Sequence, residues 1–200
     1  MLGGITLEGH LVPKPNTRDK IIEAADLLFY QRGFEHTSFA DVAGSVGISR
    51  GNFYHHFKTK DEILSSVIDL RLARTRAMLR DWQAEGRGPA ERIGCFIQIL
   101  IANQAKILLY GCPVGTLVAE LAKLDHASQD HANAVFTLFR DWLRAQFEEL
   151  GQGAEADALA MQLLARSQGV ATMATAFRDV EFIEAEVSQM RGWVQALAAA

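Results

Sequence analysis

The sequence predicts an all-α protein of about nine helices, and three features carry that expectation. No stretch of the 200 residues alternates apolar and polar with period two, so no strand is expected. Apolar residues recur instead three and four apart, as in Ile21, Ala25, Leu28 and Phe29. Between such runs stand helix-breaking groups: Gly33, Gly47, Gly86-Arg87-Gly88-Pro89, Gly111-Cys112-Pro113 and Gly151-Gln152-Gly153. The missing β pattern excludes most nucleotide-binding architectures, and no internal repeat is present.

Residues 1–16, with three glycines and two prolines, are expected to form a flexible arm. A helix follows from Thr17 to the stop at Gly33. Ser38, with Asp41 three residues on, has the spacing of a capping box, so a second helix opens near Phe39 and ends at Gly47. Ser49 caps a third helix on which Phe53 and Phe57, four apart, point inward. Two short helices joined by a tight turn over residues 38–60 form a helix-turn-helix.

Thr59 and Glu62 make another capping box, opening a long helix through Ile63, Val67, Leu70, Ala77 and Trp82. Its arginines Arg71, Arg74, Arg76 and Arg80 are expected on a solvated face. The next helix, Ala90 to Tyr110, is apolar nearly all round and is expected in the middle of the larger part, with Gln98 and Asn103 satisfied inside it. Pro113 suits the first position of a helix running to Leu124. Further helices are expected at 130–150, 154–177 and 182–197. On the last two, Leu159, Leu163, Val170 and Phe177 with Phe182, Val187, Met190, Val194 and Leu197 read either as a self-complementary dimer patch or as plain core.

With 49% apolar and 22% charged residues the chain is a soluble globular protein. Its net charge of −4 is unevenly spread: residues 1–60 carry seven Lys/Arg against six Asp/Glu, and the rest carry thirteen against eighteen. Local placement decides phosphate binding, so one basic face is enough for nucleic acid. Two cysteines without a CxxC pair make no disulfide framework and fit the cytoplasm. No secretion signal or uninterrupted membrane span is read. His126 and His131 are metal-capable, but a separation of five points them to different helix faces, so no metal or cofactor is expected. None of GxSxG, HExxH, GxxxxGK or GxGxxG occurs, which leaves an enzyme without a visible constellation.

The outward residues of the third helix and its approach, Ser49, Arg50, Gly51, Asn52, Tyr54, His55 and Lys58, are rich in hydrogen-bonding groups. The run AADLLFYQRGFEHTSFADVAGSVGISRGNFYHHFKTKDEIL, most specifically GISRGNFYHHFKTK, resembles the DNA-binding domain of the TetR/AcrR family of bacterial transcriptional repressors. The resemblance covers residues 17–64; beyond it the match is in length and helical character. It implies a DNA-binding domain at 17–63, a ligand-binding and dimerisation domain at 64–200, a homodimer through the last two helices, a palindromic operator and a small-molecule inducer.

By chemistry, Arg50, Gly51 and Asn52 suit base edges: Arg pairs with guanine, Asn with adenine, and Gly permits close approach. Thr37, Ser38, Ser49, Tyr54, His55 and Lys60 are read as phosphate contacts. Candidate ligand contacts are Trp82, Phe96, Asn103, Phe136, Phe139 and Gln168. Two alternatives stay open: a thiol sensor acting through Cys112 as helix N-cap, with Cys95 inert on a buried helix, and a helical enzyme or carrier.

Overall fold

The computed structural model describes residues 16–85 and 88–199, so the expected arm at 1–16, apart from Asn16, and the Gly86-Arg87 part of the expected break lie outside the described residues. Those described form ten α-helices and one 3-10 turn, with no strand among them. The helices are α1 (Thr17–Arg32), α2 (Phe39–Val46), α3 (Arg50–His56), α4 (Lys60–Ala84), α5 (Pro89–Ala102), α6 (Gln104–Tyr110), α7 (Pro113–Lys123), α8 (Gln129–Glu149), α9 (Ala156–Phe177) and α10 (Val180–Ala198); the 3-10 turn is Gly153–Glu155.

Local chemistry sets most of the boundaries. Asn16 caps α1 by accepting from Asp19 N, and Gly33 ends it at φ 88°. Ser38 and Asp41 form the full reciprocal capping box of α2, and Gly47 stops it in the left-handed region at φ 71°. Thr59 accepts from Glu62 N at the start of α4, but the Glu62 carboxylate reaches one residue further back, to Lys58 N at 2.7 Å. That box is therefore only half reciprocal.

One expected helix is two. The run from Ala90 to Tyr110 breaks at Asn103, whose backbone leaves helical geometry (φ −112°, ψ 9°) and whose Nδ2 donates to Ile99 O at 3.0 Å. A short amide side chain competes here with the backbone ladder for a carbonyl. Periodicity does not register that competition. The stretch Gln104–Lys123 has the length and hydropathy of a membrane span, but Gly111 and Cys112 divide it into helices of 7 and 11 residues.

Helices α1 to α3 close around Ile21, Ala25, Phe29, Phe34, Val42, Phe53 and Phe57, all buried. Helix α4 leaves this cluster, packing on α1 at its start and on α8 further along. The larger part is built on α8 against α9 and α10 against α5, with α7 lying between α8 and α1. The helix α5 buries Ile93, Phe96, Ile97 and Leu100 but leaves Cys95, Gln98, Ile99 and Ile101 half-buried, and Leu109 of α6 is 54% exposed, so the expected all-round burial holds for neither segment.

The arginines of α4 are not one solvated face. Arg76 and Arg80 are exposed. Arg71 is 10% exposed in its side chain, pairs with Asp26 of α1 at 2.7 Å and donates to Pro113 O at 2.5 Å. Arg74 pairs with Glu23 and Asp26. The guanidinium groups of Arg71 and Arg74 find carboxylates on the neighbouring α1, which a single helix's pattern does not reveal.

Candidate nucleic-acid interface

Helix α3 is seven residues long, and burial divides it sharply. Phe53 and the adjoining Phe57 are 1% exposed and anchor the helix, in tilted contact at 6.5 Å. Ser49, Arg50, Gly51, Asn52, Tyr54, His55 and Lys58 are exposed, as expected from their spacing. Ser49 accepts from Asn52 N at 3.3 Å and so fixes where the helix begins. Tyr54 is held edge-on to Phe39 at 5.6 Å, which orients its ring while leaving it 44% exposed. Ser38 is exposed at the head of α2, and its hydrogen bonds hold the Asp41 carboxyl below the ordinary Asp range.

Two residues expected at phosphates are engaged inside the protein. Thr37 is 1% exposed and its hydroxyl donates to Gly33 O at 2.7 Å, so its side chain has no free face. Its proximity to the helix start in sequence concealed that it packs inward. Lys60 directs its ammonium at the connection between α1 and α2, donating to Phe34 O at 3.1 Å and Glu35 O at 3.3 Å.

The six expected ligand contacts fall into separate settings. Phe96 and Phe139 meet edge to face at 5.4 Å, and Trp82 lies 5.5 Å from Trp142, one turn further along α8. Phe136 is half-buried on the same helix. Asn103 is occupied at the α5–α6 break. Gln168 of α9 lies against Gly115 of α7: a Cβ there would stand 2.3 Å from its Oε1. Two buried polar atoms have no partner among the described residues, Trp142 Nε1 and Gln104 Oε1. Neither was picked out in the sequence, where a tryptophan in an apolar stripe reads as core.

Cys112 is the N-cap of α7, its Sγ accepting from Gly115 N at 3.5 Å, as Pro113 at the first helical position implies. Cys95 is half-buried and lines a cleft of about 350 Å³ between α5 and α10, so it is not sealed in the core as expected; neither cysteine joins a disulfide. His126 and His131 do not converge. His126 lies 3.4 Å from Asp61 and His131 lies 3.0 Å from Asp69, and no metal-capable cluster occurs among the described residues.

The residues that join the two parts were not foreseen. Tyr30 donates to Gly111 O at 2.7 Å, and burial, reinforced by nearby Cys112, pushes its phenol up to about 12, so it stays a donor at neutral pH. Glu120 of α7 accepts two backbone N–H groups beyond the end of α1. A clue in the sequence is a carboxylate beside Leu117 and Leu121 on the inward side of an amphipathic helix.

A helix-turn-helix with an exposed polar recognition face, carried on a long helix into a separate helical part, is the architecture of a DNA-binding transcriptional regulator. Residues 21–67 match the profile of the tetR family of bacterial regulatory proteins, and residues 89–189 match the C-terminal domain of LmrA/YxaF-like transcriptional regulators. The chain is 31% identical over 137 residues to an HTH-type transcriptional regulator in the lacX 3′ region of Lactococcus lactis, covering 68% of each protein. It is 39% identical over 51 residues to the HTH-type transcriptional repressor KstR2 of Mycolicibacterium smegmatis, about a quarter of either protein. Its fold is that of a TetR regulator from Legionella pneumophila (TM-score 0.81, 24% identity, 92% of this chain and 98% of that one). The chain belongs to the TetR family of transcriptional regulators.

Proposed function

We propose that the protein is a one-component repressor that binds a palindromic operator as a cytoplasmic homodimer and is released by a small molecule. The observation carrying this is the face of α3, where Arg50, Gly51 and Asn52 stand exposed on the first turn above the buried Phe53 and Phe57. In a major groove these groups meet base edges. Ser38, Ser49, Tyr54 and His55 flank them as phosphate contacts that set register. The repressor assignment draws on the name of the KstR2 relative. Division into a DNA-binding unit at 17–63 and a ligand-binding and dimerisation unit at 64–200 follows from the same reading.

For the ligand, the aromatic set Trp82, Phe96, Phe136, Phe139 and Trp142 supplies apolar surface. The unpartnered Trp142 Nε1–H and Gln104 Oε1 supply one donor and one acceptor. For the dimer, five of the nine apolar residues read as dimer patch or core go to the core, while Phe177 stays outward. Leu163, Val170, Val187, Met190 and Val194 are buried inside the protomer. The outward residues of α9 and α10 include Met161, Met173 and Phe177 with Ala185, Ser188 and Gly192, and the last three are small enough to allow close helix approach. Ligand-driven tilting of α4, whose first turn adjoins α3, changes the spacing of the two recognition helices. A complete reversal needs about 5.5 kcal/mol of differential affinity.

The test is selection of genomic fragments on the full-length protein, followed by footprinting. An inverted repeat with half-sites about one helical turn or a small multiple apart supports the proposal. A single unrepeated half-site, or no retained DNA, overturns it.

A further inference from the structure

Phe34 and Glu35 connect α1 to the Ser38 cap of α2, and ionic side chains hold this dipeptide from two directions. From α7, the Glu120 carboxylate accepts Phe34 N–H at Oε2 and Glu35 N–H at Oε1, each at 2.9 Å. From the start of α4, the Lys60 ammonium donates to the carbonyls of both residues and lies 3.9 Å from the Glu35 carboxylate. It also sits 4.3 Å from the centre of the Phe34 ring, a cation-π contact. All four backbone polar groups of a surface connection are thus occupied by two charged side chains rather than left to water.

The approach of Glu120 depends on the residue before the dipeptide. Gly33 has φ +88°, and a Cβ on it would stand 2.9 Å from Glu120 Oε1. The Phe34 ring, 2% exposed, is further fixed by Phe29 at 5.3 Å and His126 at 5.2 Å. Phe34 O also accepts Thr37 N at 3.2 Å, so the held dipeptide runs directly into the turn that precedes α2. The other end of α7 is tied to α1 and α4 through Tyr30 to Gly111 O and Arg71 to Pro113 O.

Resting on the reading of α3 as the operator-binding helix, we propose that Glu120 and Lys60 are positioning residues for the helix-turn-helix, so that α7 as well as α4 sets where α2 and α3 sit. A shift of α7 moves the carboxylate, and two short charge-assisted hydrogen bonds carry that shift to the residues just ahead of the Ser38 cap. Lys60 serves this connection and not a DNA phosphate.

The experiment uses the full-length protein and an operator duplex recovered by selection. Operator affinity is measured against salt for wild type, Glu120→Gln, Glu120→Ala, Lys60→Gln and the Glu120→Ala/Lys60→Gln double variant, with amide exchange followed on the free proteins. In Glu120→Ala the Phe34 and Glu35 amides exchange about tenfold faster while those of α8 and α9 do not change, and operator affinity falls about tenfold. Glu120→Gln, which keeps one acceptor, falls between. The double variant loses less than the product of the single losses, because both act on one dipeptide.

Lys60→Gln leaves the salt slope at its wild-type value, whereas a slope lower by about one unit places Lys60 at a phosphate and overturns its part. Wild-type exchange and wild-type operator affinity in Glu120→Ala overturn the clamp while leaving operator binding intact. Failure to select any duplex instead overturns the operator reading, and the positioning role with it.

Discussion

Arg71 of α4 lies with its Nε 2.7 Å from Asp26 Oδ1 of α1, and its Nη1 reaches Pro113 O at the head of α7. One guanidinium therefore joins α1, α4 and the head of α7. Both partners are mostly buried, with side chains 10% and 20% exposed, so the pair is poorly screened by solvent. Arg71→Ala is expected to destabilise the protein by about 1–2 kcal/mol in urea unfolding, because it takes the nearer cation from a half-buried carboxylate, which keeps only Arg74 at 3.4 Å. Arg71→Lys recovers little, since a single ammonium does not reproduce the fork. Stability equal to wild type in Arg71→Ala would show the contact to be incidental.

The α2 capping box makes a separate prediction. Ser38→Ala removes the bond to Asp41 N and is expected to cost about 1 kcal/mol. Its contribution also depends on pH. Hydrogen bonds from Ser38 depress the Asp41 carboxyl in the folded state, so the associated stability is present above the unfolded Asp pKa and is lost as pH falls through the lower folded value. The gap between the urea midpoints of wild type and Ser38→Ala should narrow in that acid range without closing, because the cap bond from Asp41 N does not titrate. A gap that stays constant into acid would contradict the linkage.

On the recognition helix, Asn52→Ala is expected to change base preference at one half-site position by about 1–3 kcal/mol. Tyr54→Phe should weaken all sequences alike, because it removes a phosphate donor and leaves the base contacts in place. Affinity measured against a panel of single-base operator variants separates the two. A uniform loss for Asn52→Ala would reverse the assignment.

Gly33→Ala should disturb more than the end of α1. Its backbone at φ +88° strains any residue with a Cβ, at about 1–3 kcal/mol, and the new methyl meets Glu120. The expected result is a lower unfolding midpoint together with faster exchange at Phe34. Gly47→Ala, at φ +71° but with nothing within 4 Å of its Cβ, should show the strain without the exchange effect. Identical exchange profiles for the two would mean the contact with Glu120 is yielding.

The outward faces of α9 and α10 predict the assembly. Met161→Glu/Met173→Glu places charge at two side chains that are each 42% exposed, where a lone protomer tolerates it. Analytical ultracentrifugation should show monomers for the variant and dimers for wild type, with the helical content retained. A variant that remains dimeric would move the interface elsewhere.

Much of this protein was set by sequence alone. The caps at Ser38, Ser49 and Thr59, the stops at Gly33 and Gly47, and the inward pair Phe53 and Phe57 are local: each depends on residues within a turn or two, so spacing and side-chain type were enough to place the helix-turn-helix and the exposed face of α3. Tertiary structure decided what those local rules leave open. Thr37 and Lys60 are the same residue types whether they meet a phosphate or a backbone carbonyl, and only the approach of Gly33, Phe34 and Glu35 gave them carbonyl partners within the protein. Arg71 resembled any solvated arginine until Asp26, 45 positions away, came within 2.7 Å. The apolar rows of α9 and α10 had two possible destinations, the protomer's own core or a partner, and packing against α5 and α8 took most of them into the core. Helical periodicity gives a helix its apolar face; which surface covers that face, and where its polar side chains find partners, depends on chain segments brought together only by folding.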